Sequence, residues 1–386
     1  MLRVFVCKNV SKIYKLLLIF ILCFQLCGCW DYRDINKRSI LISIGVDRIG
    51  DLIQFSGEIA GGAGAEGKKN QEVKRVSVYP FVSYGENFEI ARLDLINKVP
   101  QPEFLGAVKV VVFSKKYAEE GIEAYLNRIN GEYDYRKTLL AVISKDPPKK
   151  LFCINTNKEQ SIASLIENNI NYQTGHGKAL YTTVGEMLSD ISMKDIGYLI
   201  PYIGWENDSI TYLGLGVMKD SKLIDIIHVK DTDGILYLLA KNPKMTEEIP
   251  SIYKDENLYS LRTTVKKRKI TTNYVNNKPV INIDLDIYAR VRYQYYIKPI
   301  DDKEIERVED ELSSRIKKYV EDAIYVSQKK YKCDIFEFAK YFRGEHPEIY
   351  RKIDWKEEYT NAIINVNVKT TITNLNLYDH NTRVKY

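Results

Sequence analysis

The chain has 386 residues, 28% of them charged and 45% hydrophobic, with a formal net charge of +6. That apolar content excludes a disordered chain, and the length exceeds one ordinary core, so two or three domains are expected. Arg3, Lys8, Lys12 and Lys15 precede the first acidic residue, Asp31; without those four the remainder is near +2, which gives no footing for a nucleic-acid binder.

The N-terminus reads as a processing signal. "LLLIFILCF", Leu16 to Phe24, is shorter than the roughly 20 apolar residues of a spanning helix. A basic start, a short apolar run and small residues after it describe a secretory signal over residues 1–28, against a retained anchor or a buried strand. "Leu26-Cys27-Gly28-Cys29" resembles the lipobox of bacterial lipoproteins: a leucine, two small residues and a lipid-bearing cysteine. Cys29 is therefore the expected lipidation site, because Leu22 and Leu26 directly precede the rival Cys23 and Cys27. Two acyl chains anchor a protein stably where one does not. Beyond a covalent diacylglycerol and an N-acyl chain on Cys29, no cofactor is expected. Cys153 and Cys333 remain, and the sequence leaves open whether they pair. No CxxC or Cys/His cluster exists, so no metal site is expected.

"SILISIGVD" and "DLIQFSGEIA" read as a hairpin turning at "RIGD". Gly62, Gly67 and Lys68 come close to a phosphate-binding loop. Lys69 stands where Ser or Thr would hold Mg²⁺, and a strand with Pro80 follows instead of a helix, so a plain loop is expected. Next come a helix capped by Glu86 or Asn87, a buried strand "AVKVVVF", and a helix placing Tyr117, Ile122, Tyr125 and Ile129 inward. Strand "TLLAVIS" and two short helices, "SIASLIENNI" and "TTVGEMLSDI", follow. "DIGYLIPYIGWENDS", with Gly197, Pro201 and Gly204, reads as a domain boundary.

The second half opens with a hairpin turning at Lys219–Ser221 and a short helix from Asp231 or Thr232. A long hairpin turns at Asn276–Asn277. From Ile281 to Tyr295 every odd position is Ile, Leu, Ala, Val or Tyr, which predicts a strand with its odd side chains inward. Asp284 and Asp286 fall on the wet face as solvated acids rather than cation ligands. A long helix then carries the stripe Ile305, Val308, Leu312, Ile316, Val320 and Ala323 or Ile324, with acids at its start and lysines at its end. A second helix, a Gly and Pro break, a linker with Trp355 and a final strand "AIINVNVKTTI" close the chain. The expected fold class is α+β: two to three domains, each a mixed or antiparallel sheet flanked by helices, over residues 29–200 and 205–386.

"GCWDYRDIN", "ISIGVD", "FLGAVKVVVFSKKYAEEGIEAYLNRINGEYDYRKTLLAVIS", "DIFEFAKYFRGEHPEIYRKIDWKEEY" and "INVNVKTTIT" occur here in that order. Together they look like the Ger(x)C family, the C subunits of spore-germination nutrient receptors. Glu337 and Ala339 stand where that family commonly has glycine. The resemblance implies a lipoprotein on the outer face of the spore inner membrane. Its implied partners are integral membrane A-type and B-type subunits, with which it triggers germination. No enzyme is implied: His176 in "TGHGK" is the most tempting of four histidines, but no triad or nucleophile elbow accompanies it. The 29 tyrosines suit half-buried strands and a partner surface. The alternative is a stand-alone lipid-anchored solute-binding protein, which would need two doubly wound lobes.

Overall fold

The computed structural model describes residues 34–61, 78–132, 134–155, 159–252, 257–296 and 300–375. Residues from Ser39 onward form one compact unit, grouped apart from residues 1–38. Before it, Ile35–Lys37 makes one 3-10 turn. The expected signal, Cys29, the 62–71 loop and His380 lie outside the described residues.

Strands β1 (Ser39–Ile49) and β2 (Leu52–Ala60) form the first hairpin, turning at Gly50 with φ +59. β3 (Val78–Gly85) pairs antiparallel with β2 as an edge strand, where its Pro80 is tolerated. β4 (Glu103–Phe104) lies parallel beside the start of β1. β5 (Val110–Ser114), β6 (Leu140–Ser144) and β7 (Tyr198–Glu206) continue the sheet in parallel from β1. β8 (Ser209–Lys219) and β9 (Lys222–His228) complete it antiparallel, in the order β3-β2-β1-β5-β6-β7-β8-β9.

The centre of this sheet is buried on both faces, which explains the unbroken apolar runs there. Val111, Phe113, Ala141 and Ile143 pack with residues of the helices Phe88–Ile96, Glu123–Gly131 and Val184–Met193. Val110, Val112, Leu140 and Val142 share a core with the helices Pro148–Phe152 and Ile162–Gly175. Asn87 is the cap of the first of these helices, its Oδ1 accepting from the Glu89 and Ile90 amides. Tyr117, Ile122, Tyr125 and Ile129 are all buried, though Gly121 (φ +130) divides their helix in two.

The second sheet has four strands: β10 (Lys244–Pro250), β11 (Leu258–Val275), β12 (Lys278–Gln294) and β13 (Ile363–Asn374). β10 to β12 are antiparallel, and β13 runs parallel to β12. The helix Asp302–Val326 covers one face through Val308, Leu312, Ile316, Val320 and Ile324. One hydrophobic cluster joins the two sheets, from Leu215 and Val217 through Leu236 to Ile281, Ile283 and Trp355. The α+β class stands, with a mixed sheet flanked by helices and a second sheet packed by the long helix and the shorter helices Phe338–Glu345 and Trp355–Asn361.

The segment read as a domain boundary includes strand β7, joined to β8 by Asn207 and Asp208 with φ 50 and 56, so strand pairing runs through it. Both residues tolerate the left-handed conformation that such tight hairpins demand. Three local features differ from the sequence reading. Ile305 is only half-buried; Glu304 beside it is buried and is held by Arg307. Trp355 begins a helix, Trp355–Asn361, and is a core residue rather than part of a linker. Finally, odd positions on β12 are buried through Val291, but Tyr293 and Tyr295 are 48% and 52% exposed. The register explains this: Leu261 faces Val291 and Ser260 faces Tyr293, so Arg292 is an extra residue that reverses the alternation.

Candidate functional site

A polar cleft of about 500 Å³ lies among the helix Val184–Met193, the end of the helix Asp233–Leu239, β11 and residues 335–341. It carries a partly buried ion-pair cluster. Lys340 Nζ donates to Asp190 Oδ1 at 2.7 Å and to Glu337 Oε2 at 2.6 Å. Burial pushes Asp190 up to about 6 despite the ammonium beside it. On the opposite wall Arg268 donates to the carbonyls of Tyr237 (3.2 and 2.9 Å) and Ala240 (3.0 Å), closing the C-terminus of the helix Asp233–Leu239. Burial lowers the Arg268 pKa, yet a helix C-terminus favours a cation.

Thr182, Thr183 and Glu186 of the cleft are also engaged, whereas Thr174 Oγ1 is buried without a hydrogen-bond partner among the described residues. Thr182 Oγ1 donates to the Leu199 carbonyl at 2.8 Å. Thr183 and Glu186 form a reciprocal capping box for their helix. These groups position backbone and each other, and none pairs a nucleophile with a base. The cleft is chemically suited to binding a small polar group or a partner side chain.

The wall at 335–338 is held from behind by Asp334. This carboxylate accepts from the amides of Phe336 (3.2 Å), Phe338 (3.2 Å) and Ala339 (2.8 Å), and from the Trp355 indole at 3.1 Å. Burial nevertheless pushes it up to about 6. Trp355 stacks in turn against Phe342 and Tyr359. The "DIFEFA…DW" stretch is thus a structural knot. Glu337 sits in it with φ +61, a conformation that favours glycine.

The residues singled out from sequence do not converge on this cleft. His176 ends the helix Ile162–Gly175, its ring 4.2 Å from that of Tyr172 and its Nδ1 2.7 Å from the Tyr172 carbonyl. His346 Nε2 is 3.0 Å from the Thr272 carbonyl. Cys153 is exposed and Cys333 buried, and both are free thiols; burial pushes Cys333 up to about 12. Asp284 and Asp286 face Lys269 and Lys267 across β11, and no cluster of three metal-ligating side chains occurs among the described residues. Asp190, Lys340 and Arg268 escaped sequence reading because their partners lie far along the chain; Asp190 and Lys340 are 150 residues apart.

Residues 31–204 match the family described as Spore germination protein N-terminal domain, and residues 213–376 match Spore germination B3/GerAC like, C-terminal. The chain is 22% identical over 378 residues to Spore germination protein KC of Bacillus subtilis (strain 168), covering 89% of this chain and 91% of that protein. It is 20% identical over 372 residues to Spore germination protein B3 of the same organism, covering 93% and 97%. The crystal structure of the GerBC protein superposes with a TM-score of 0.56 at 16% identity, over 88% of this chain and 100% of that one, which shows a shared fold. With both family domains present in order and relatives aligned along nearly its full length, the chain belongs to the Ger(x)C family of spore germination proteins.

Proposed function

We propose that this chain is the lipid-anchored C subunit of a nutrient germinant receptor, working with integral membrane A-type and B-type subunits at the outer face of the spore inner membrane. The observation that carries the proposal is the ordered match to both family domains, which begins just after the Leu26–Cys29 lipobox. A diacylglycerol on Cys29 would supply the membrane attachment, since no described helix is long and apolar enough to cross a bilayer. We read the role as non-catalytic: Asp190, Lys340, Glu186 and Arg268 are committed to ion pairing and capping, which suits an assembly or ligand-coupling surface.

Cys29→Ala is the direct test. Expected are loss of the protein from spore membranes and strongly slowed nutrient-triggered germination; normal retention and normal germination would refute the proposal. Co-purification of the unmodified chain with A-type and B-type subunits tests the partnership. The solute-binding alternative predicts calorimetric binding of nutrients at micromolar concentration without partners. Its two doubly wound lobes do not match the antiparallel β10–β12 arrangement.

A further inference from the structure

The second sheet carries a basic, outward face. On β12 Ile281, Ile283, Leu285, Ile287 and Ala289 are buried, so the even positions between Asn282 and Arg290 point the other way. Register supplies their neighbours. Lys269, Asp284 and Asn367 form one row; Lys267, Asp286 and Lys369 form the next. Then come Lys244, Thr264, Tyr288 and Thr371, followed by Thr246, Arg262 and Arg290. Lys266 is the extra residue of a bulge and holds its ammonium 4.5 Å from the centre of the Tyr288 ring. Glu248, opposite Ser260, closes the face, and the bulge at Arg292 turns Tyr293 and Tyr295 outward beside it.

Seven basic side chains against three carboxylates give this one face a net +4, when the entire chain carries only +6. The charge is therefore concentrated, not spread over a mixed surface. A groove of about 360 Å³ crosses the first two rows, between Lys267, Lys269, Lys369 and the two aspartates.

We infer that this face lies against an anionic bilayer surface. Lysine and arginine stems carry their charges toward lipid phosphates, while exposed tyrosines suit the head-group level, one end apolar and the other wet. Charge complementarity selects an anionic partner. The choice of a membrane rather than an acidic protein rests on the lipid-anchored reading above, which would hold the chain at a bilayer. Anchor and face would then act together, the first supplying attachment and the second orientation.

The test uses the full lipidated chain on vesicles of phosphatidylcholine, with or without phosphatidylglycerol, and amine labelling of lysines read by mass spectrometry. On anionic vesicles, labelling of Lys244, Lys266, Lys267, Lys269 and Lys369 should fall severalfold and recover in high salt, while Lys115 and Lys222 stay unchanged. Arg262→Glu with Arg290→Glu, both on the solvent face, should weaken the protection about tenfold. Retention on neutral vesicles reads the anchor, and the salt-sensitive footprint reads the face, so the two ideas fail separately. No footprint on anionic vesicles overturns the inference. So does an equal footprint on neutral ones, or one that arises only when membrane subunits are added. A chain that binds neither vesicle overturns both ideas.

Discussion

Two buried carboxylates show how single residues organise this protein. Glu58, on β2, accepts from the Ile162 and Ala163 amides at 2.7 and 2.8 Å, and so sits at the N-terminus of the helix Ile162–Gly175. Asp334 does the same for the helix Phe338–Glu345. Each places negative charge where unpaired amides and the helix dipole favour it, although burial raises both pKa values. Glu247 is different. Among the described residues its side-chain donor is Tyr237 at 3.0 Å, and burial pushes it up to about 7 from 4.5. A carboxyl raised in the folded state contributes stability that is present below pH 4.5 and is lost as pH rises through 7, about 3 kcal/mol in all. Glu247→Gln should remove that fall. Denaturant unfolding at pH 4.5 and pH 8 checks it: the wild-type loss between the two should exceed the variant's by that amount, and equal losses would refute it.

Among the elements, the hairpins are set by residues that accept left-handed backbone. Asn276 and Asn277 turn β11 into β12 with φ 51 and 58, as the sequence indicated. Asp220 and Ser221 do so between β8 and β9. Gly214 on β8 is a stricter case. Its φ is +140, and a Cβ there would lie 1.9 Å from the Ile227 carbonyl oxygen of β9. Gly214→Ala should therefore disrupt the β8–β9 pairing and cost about 3 kcal/mol or more, by the strain and overpacking that dominate severe substitutions. Gly131, at the end of its helix, has open space around the same position. Gly131→Ala should be neutral or stabilise by up to about 1 kcal/mol. Thermal melts of the two variants compare them directly, and similar losses in both would contradict the geometry.

For the whole molecule, the decisive feature is that the two family regions share one core. β7 belongs to the first region and pairs along its length with β8, which carries the start of the second. Ile210, Leu215 and Val217 pack in the cluster that also holds Ile281, Ile316 and Trp355. Separating the chain after Glu206 would expose the β7 edge and divide that cluster. Residues 1–206 and 207–386, produced separately, should therefore lack cooperative melting, while the intact chain melts in one transition. Two fragments that each melt cooperatively would show that the regions are independent.

The sequence by itself determined most elements and the family. Period-two alternation marked β12, helical spacing marked the Val308–Ile324 stripe, and Asn or Gly marked the turns, because each signal is local and repeated. The order of the quoted blocks carried the family. Tertiary structure alone decided where charged groups meet. Glu58 reaches amides 104 residues away, Lys340 reaches Asp190 across 150, and Asp334 gathers the Trp355 indole together with three amides. No local pattern encodes such pairings. The bulges at Lys266 and Arg292 follow the same rule: an extra residue in one strand is defined only against its partner, and it is the bulge at Arg292 that turns Tyr293 and Tyr295 to the outside.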